Sequence, residues 1–174
     1  MRAGNADVRD GHDDAGNGPL LFTYGTLMLT TGIPAVDAAT RDAGVSLGRG
    51  YILGHLFDLG EYPGAVPWPP PAAAAGEGPP AHEDAPKVWG KLLRLKDPAA
   101  FYAVIDAYEG FVPGDPASEF IRAETTVFLP ESGETHAGQV YYYNLETAGR
   151  ERIEAGDYLA HWQAKGKPSQ GRIQ

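Results

Sequence analysis

The chain has 174 residues, 43% of them hydrophobic, and its 23 acidic and 14 basic residues give a formal net charge of −9. This length and apolar content predict one compact domain, because a core of ~150 residues buries roughly 70% of the surface of its unfolded chain. The acidic excess and the lack of any basic run argue against a nucleic-acid partner, and the absence of cysteine excludes disulfides and thiolate chemistry.

The chain opens with polar residues 1–18, which contain little to bury and are expected to form a flexible tail. The stretch PLLFTYGTLM follows, and its apolar residues 20–22 are typical of a short buried strand. The chain is expected to leave the sheet through four residues, Tyr24, Gly25, Thr26 and Leu27. Glycine lets a ligand approach the backbone, and N–H groups at a strand end can bind a carboxylate or an oxyanion. A plain turn after a core tyrosine fits the same residues.

The first strand lies at 20–24, and further strand-like runs lie at 48–57, 88–95, 121–129 and 138–144. Short strands with few helices among them predict a mainly antiparallel sheet that curls towards a barrel. Tyr62-Pro63-Gly64, after the second run, is interpreted as a turn.

One domain is expected at 19–163, followed by a polar tail at 164–174. Within the domain, residues 67–86 are rich in proline, alanine and glycine. We expect a disordered surface insertion there, with a lid over a nearby site as the alternative.

The clearest helix follows Asp97, a favourable N-cap, with Pro98 at its first position. Gly110 is expected to end it. Weaker helical patterns lie at about 34–43 and 155–163. The clearest helix has an apolar stripe with helical spacing: Phe101, Val104, Ile105 and Tyr108.

The same helix carries two carboxylates, Asp106 and Glu109. At about 100° per residue, Asp106 is expected to point into solvent, roughly 150° from the centre of the stripe, and Glu109 to lie at about 90°, beside the buried face. Partial burial, the helix dipole and nearby Asp106 would raise the pKa of Glu109 towards that of a general base. A solvated glutamate at a helix end is the alternative interpretation.

Other common sites are absent from the sequence. The five histidines are scattered, and no phosphate-binding G-x-x-x-x-G-K-[ST] motif occurs, so we expect no metal or cofactor. No stretch approaches 18 apolar residues and no secretory signal is recognisable at the start. We therefore expect no membrane partner and a cytoplasmic location.

Seven segments follow one another along the chain: LFTYGTL, GYILGHLFDLGEYPGAV, VWGKLLRL, IDAYEG, FIRAETTVFL, GQVYYYN and GDYLAHW. Together they resemble the γ-glutamylcyclotransferase-like, or AIG2-like, family over about residues 20–162, apart from the insertion. The resemblance implies an α+β fold, a small mixed, mainly antiparallel β-barrel with a few flanking helices around a cavity.

The resemblance also implies an activity. The family's enzymes cyclise a γ-glutamyl group to 5-oxoproline and release the attached amine or amino acid, without a cofactor. The family's catalytic glutamate lies in a D-x-x-E-G segment and maps onto Glu109. Its substrate-binding loop maps onto Tyr24, Gly25, Thr26 and Leu27. The expected partner is thus a small γ-glutamyl amine or dipeptide.

Two departures from the family pattern bear on substrate choice. MLTTG stands where a basic residue and glycine commonly follow YGTL, and Phe120 stands where the family usually has tyrosine. A barrel of this fold that binds a small metabolite or a partner protein without turnover is the alternative function.

Overall fold

The computed structural model describes residues 18–69 and 84–166. The tail expected at 1–18 (except its last residue), the central part of the insertion expected at 67–86, and the last eight residues of the tail expected at 164–174 lie outside the described residues. Among the described residues, no helix has the length and apolar character needed to cross a bilayer.

The described residues form seven strands, three α-helices and one 3-10 turn. The strands are β1 (Leu20–Thr23), β2 (Gly44–Asp58), β3 (Pro63–Pro67), β4 (Lys87–Leu95), β5 (Phe120–Leu129), β6 (Glu134–Tyr143) and β7 (Glu151–Arg152). The helices are α1 (Pro34–Arg41), α2 (Pro98–Tyr108) and α3 (Tyr158–Ala164), and a single 3-10 turn, Thr26–Met28, follows β1. The sequence predicts all three helices and five of the strands; it does not predict β3 or β7.

The interpretation of Tyr62-Pro63-Gly64 as a turn is wrong. The turn closes earlier, where the N–H of Leu59 donates to the carbonyl of Tyr62 over 3.0 Å. Pro63 and Gly64 then pair with Asp58 and Phe57 as the first residues of β3. Proline is compatible with the first position of a strand, where its missing N–H costs no ladder hydrogen bond.

Five strands close into a barrel in the order β2-β4-β1-β6-β5, and β5 pairs back onto β2 between Tyr51 and Phe128. The β1–β6 pair is parallel, while the other pairs of the barrel are antiparallel. The predicted fold class, a small mixed, mainly antiparallel barrel with a few flanking helices, is confirmed.

Strand β2 is long because it pairs first with β4 and then with β3. Residues 44–53 pair with β4 in the barrel, whereas residues 54–58 pair with β3 and, at the very end, with β7. A register shift between Ser46 and Gly48 bends the strand, and Gly48 takes a φ of +126° there. Such a bulge increases the local twist and helps the sheet to close.

Helix α2 packs against the outside of the barrel. The Asp97 side chain accepts the N–H of Ala100 over 3.0 Å, as expected of an N-cap. Three residues of the predicted stripe, Phe101, Ile105 and Tyr108, belong to a buried hydrophobic cluster. In it they pack against α1 and against strand residues that include Leu21 and Tyr141. Helix α2 is therefore held by its apolar face, and the bond from the Tyr108 hydroxyl to Thr26 brings its C-terminus close to the end of β1.

An ion-pair group built around Asp58 attaches α3 to the end of β2. One oxygen of Asp58 lies 2.6 Å from Lys165 Nζ and 2.9 Å from His161 Nε2, and Lys165 also contacts Glu151 over 2.7 Å. Burial raises the pKa of Asp58, but hydrogen bonds from Lys165, His161 and Gly60 outweigh it and lower the pKa to about 2. The folded state therefore favours the ionised Asp58.

Asp58→Asn is expected to lower the free energy of unfolding at pH 7 by roughly 1–2 kcal/mol. The pKa of Asp58 is lower in the folded state, so its stabilisation is present above the ordinary value of 3.8 and is lost as the pH falls through about 2. Urea denaturation should show the difference between wild type and variant shrinking over that window.

Glu154→Gln is the matched control, because the Glu154 side chain is 77% exposed and its ion pair with Arg152, at 3.4 Å, lies on the surface. The free energy of unfolding of this variant is expected to fall by less than about 0.5 kcal/mol. An Asp58→Asn effect that is unchanged down to pH 2 would contradict an ionic origin.

Candidate active site

One cavity lies where the end of β1, the 3-10 turn, the start of β3 and the C-terminus of α2 meet. It encloses about 410 Å³ of empty volume, including the part open to solvent. All five residues predicted for the site line it: Tyr24, Gly25, Thr26, Leu27 and Glu109. Among the described residues that line the cavity, Glu109 carries the single charged side chain.

Glu109 is placed by the end of helix α2. It is the C-cap, with φ −79° and ψ −3°, and its N–H donates to the carbonyl of Ile105 over 2.9 Å. Gly110 follows with φ +64°, a left-handed conformation that glycine adopts without strain and that turns the chain out of the helix. Glu109 is only 8% exposed, so it is more deeply buried than the sequence pattern indicates.

The predicted loop forms the 3-10 turn. Met28 N–H donates to the Gly25 carbonyl and Leu29 N–H donates to the Thr26 carbonyl, each over 2.9 Å. The first N–H groups of such a turn have no acceptor within it. The N–H groups of Gly25, Thr26 and Leu27 therefore stand at its start, beside the cavity.

A hydroxyl pair joins the two halves of the site. The Tyr108 hydroxyl donates to Thr26 Oγ1 over 3.2 Å, and both residues are buried. Because Tyr108 directly precedes Glu109, this bond sets the distance between the helix end and the turn. Thr26 thus uses its hydroxyl within the protein.

Tyr24 has a structural hydroxyl. It donates to the carbonyl of Tyr141 over 2.6 Å and accepts the N–H of Ala65 over 3.1 Å. Burial raises the pKa of Tyr24 far above its ordinary value, and the charge of Glu109 adds to the rise, against the hydrogen bond from Ala65. The Tyr24 phenol therefore stays protonated and links three strands beside the cavity.

The prediction that Asp106 points into solvent is wrong. Its Oδ1 accepts the Tyr141 hydroxyl over 2.5 Å, its Oδ2 lies 3.4 Å from an Arg122 Nη, and its side chain is 20% exposed. A single apolar stripe predicts one buried face, but strands β5 and β6 also contact a second face of α2. Asp106 lies on that second face.

Several lining residues are absent from the predicted site: Tyr62, Pro63, Tyr108, Phe120 and Tyr141. Helical spacing assigns Tyr108 to the core, and the interpretation of 62–64 as a turn leaves Pro63 out. Tyr141 lies in the expected strand at 138–144, and the two-residue alternation of that strand is the sequence signal that could have assigned it to one face of the sheet. The position of Phe120 is recognised only as a departure from the family pattern.

The chain matches a known protein family over most of its length. The sequence model of a family described as "Gamma-glutamyl cyclotransferase, AIG2-like" matches residues 21–160. No curated protein matches the chain significantly.

Solved structures with a similar fold include an uncharacterised protein, PH0828, from Pyrococcus horikoshii, with a TM-score of 0.53 and 17% identity over 86% of this chain and 97% of that one. The solution structure of protein ytfP from Escherichia coli gives a TM-score of 0.50 and 26% identity over 82% of this chain and 97% of that one. Both support the same barrel architecture.

Gly25→Ala is expected to destabilise the protein by about 1–3 kcal/mol through overpacking. A Cβ at this position would lie 2.6 Å from Cγ of Pro63, and this ring cannot move without shifting the start of β3. The midpoint of thermal denaturation should fall accordingly.

Gly138→Ala in β6 is the matched control, because its Cβ would meet its nearest neighbour, Leu92 Cδ1, at an ordinary 3.4 Å. We expect its stability to change by less than about 0.5 kcal/mol. Equal losses at the two glycines would mean that the contact with Pro63 is not the cause.

Proposed function

Since the chain belongs to the gamma-glutamyl cyclotransferase, AIG2-like family, we propose that it converts a small γ-glutamyl amine or dipeptide into 5-oxoproline and releases the amine. The observation that carries this proposal is the shared cavity of Glu109 and the turn that starts at Gly25. One wall supplies a buried carboxylate and the other supplies backbone N–H groups.

The reaction is intramolecular. The α-nitrogen of the substrate attacks its own γ-carbonyl carbon, a five-membered ring forms, and the bond between that carbon and the amide nitrogen breaks. Such a reaction needs the substrate held in a folded conformation more than it needs a protein nucleophile. The aromatic walls of the cavity, which include Tyr62, Tyr108 and Phe120, suit a folded glutamyl chain.

Glu109 is the proposed proton carrier. The α-nitrogen, an ammonium at neutral pH, loses one proton before it attacks and a second as the ring forms, and the leaving nitrogen gains two protons and departs as an ammonium. A single carboxylate performs both transfers in turn, as general base and then as general acid. Its burial at the end of α2 excludes water that would otherwise compete for the proton.

The turn is the proposed binding floor. N–H groups of residues 25–27 bind the substrate carboxylate or the oxyanion that forms on the γ-carbonyl. Gly25 has no side chain, so the substrate can approach the backbone there. The Thr26 N–H takes part in this role, while its hydroxyl oxygen accepts the bond from Tyr108.

Glu109→Gln is expected to reduce 5-oxoproline release by about 10²–10⁴-fold, the usual contribution of a positioned acid–base group. The amide matches the carboxyl group in shape, so the variant should stay folded by circular dichroism. Release is measured by chromatography with a panel of γ-glutamyl amines and dipeptides.

Glu124→Gln makes the same chemical change at an exposed position on β5 and should keep wild-type turnover. Full activity in Glu109→Gln would remove Glu109 from the mechanism. If the wild type releases no 5-oxoproline but is thermally stabilised by γ-glutamyl compounds, the metabolite-binding alternative replaces the enzyme.

A further inference from the structure

Asp106 does not line the cavity, but it contacts Tyr141, which does. It shares helix α2 with Glu109, three residues earlier, but it does not line the cavity itself. Tyr141 does line the cavity, and its hydroxyl donates to Asp106 Oδ1 over 2.5 Å. A residue outside the site thus holds the polar group of a residue inside it.

Arg122 keeps Asp106 in place. Its guanidinium carbon lies 3.7 Å from the ring centroid of Tyr102 and 5.5 Å from that of Phe111, and an Nη atom lies 3.4 Å from Asp106 Oδ2. Tyr102 and Asp106 are one helical turn apart on α2, so one guanidinium contacts both. Stacking and charge pairing together restrict the carboxylate to one orientation.

The carboxylate fixes the direction of the Tyr141 proton. An ionised carboxylate only accepts hydrogen bonds, so the hydroxyl must donate to it, and the remaining lone pairs of the phenolic oxygen can only accept. Burial, the bond to Asp106 and the charges of Asp106 and Glu109 raise the pKa of Tyr141 far above its ordinary value, against Arg122. Tyr141 is therefore neutral and can accept a hydrogen bond, and its hydroxyl interacts electrostatically with Glu109.

Resting on the proposed function, we propose that the Tyr141 oxygen accepts a hydrogen bond from the α-ammonium of the substrate, and that Asp106 is the positioning residue that makes it an acceptor. The ammonium has three N–H donors, and Glu109 takes one proton. A second acceptor orients the nitrogen towards the γ-carbonyl before attack. Tyr24 is not assigned this role, because its hydroxyl already donates to the Tyr141 carbonyl and accepts the N–H of Ala65.

Asp106→Asn tests the direction of the bond. Arg122 should hold the amide oxygen, which turns the amide N–H₂ towards Tyr141 and sends the Tyr141 proton into the cavity. Loss of a hydrogen bond to a charged group is expected to lower kcat/KM about 10–100-fold. Tyr141→Phe removes the same acceptor, leaves the Asp106–Arg122 pair intact, and should give a similar loss.

A double-mutant cycle separates positioning from a structural role. If Asp106 acts through Tyr141, adding Asp106→Asn to Tyr141→Phe should change kcat/KM by less than about twofold, since the two effects are not independent. A full additional loss in the double variant would overturn the inference. Tyr142→Phe is the matched control, because that hydroxyl bonds Thr125 over 2.9 Å and does not line the cavity; turnover should be unchanged.

A binding experiment tests the same inference without turnover. In the Glu109→Gln background, the dissociation constant of a γ-glutamyl amine is compared with that of the matching glutaryl amide, which lacks only the α-ammonium. The background should prefer the γ-glutamyl compound, and adding Tyr141→Phe or Asp106→Asn should reduce that preference about tenfold or more. Equal binding of both compounds in the background, or a preference that survives both changes, overturns the inference.

The two proposals fail differently. A wild type that releases no 5-oxoproline but shows the ammonium preference, lost with Tyr141→Phe, removes the proposed reaction and keeps the acceptor role. If the wild type releases 5-oxoproline and the Tyr141→Phe variant does so at the same rate, the proposed reaction stands and the acceptor role of Tyr141 is removed. Should Asp106→Asn fail to fold, Tyr141→Phe alone decides.

Discussion

The buried hydroxyl of Tyr24 is the interaction on which the site depends. It joins the exit of β1 to the carbonyl of Tyr141 in β6 and to the N–H of Ala65 in β3. Without it, a buried donor and a buried acceptor would lose their partner, at a cost of about 1–3 kcal/mol for each unsatisfied group. The turn at residues 25–27 begins directly after this hydroxyl-bearing residue, so the shape of the cavity follows from where Tyr24 is held.

Local signals in the sequence were sufficient where the chain itself determines the structure. Helix α2 begins and ends at residues whose capping chemistry is local, Asp97 and Gly110, and the barrel follows from short strands with alternating burial. Asp106 could not be placed in this way, because the second buried face of α2 depends on strands that arrive from later in the chain. Strand β3 was missed for a related reason, since the pairing of Pro63 with Asp58 outweighs its local preference for a turn.

The two carboxylates at the C-terminal end of α2, Asp106 and Glu109, have different surroundings. Asp106 is held between a guanidinium and a phenol, and its charge is balanced by Arg122. Glu109 faces a cavity whose other described walls are aromatic, aliphatic or hydroxylic. The family relationship and the shared cavity support a catalytic role for Glu109 and a binding role for the turn, and both roles remain proposals. Four tyrosines line the cavity, and each has a hydroxyl that donates to another group of the protein.

The length of helix α2 has a consequence for how this protein can diverge. Each residue inserted into an α-helix advances it by about 1.5 Å and rotates everything beyond by about 100°. One insertion or deletion between Asp97 and Asp106 would therefore turn both Asp106 and Glu109 away from their present neighbours at once. The exposed connection between β5 and β6, residues 130–133, carries no such constraint. Changes of chain length should accumulate in connections of that kind, whereas the number of residues in α2 is constrained by the contacts of Asp106 and by the position of Glu109 at the cavity.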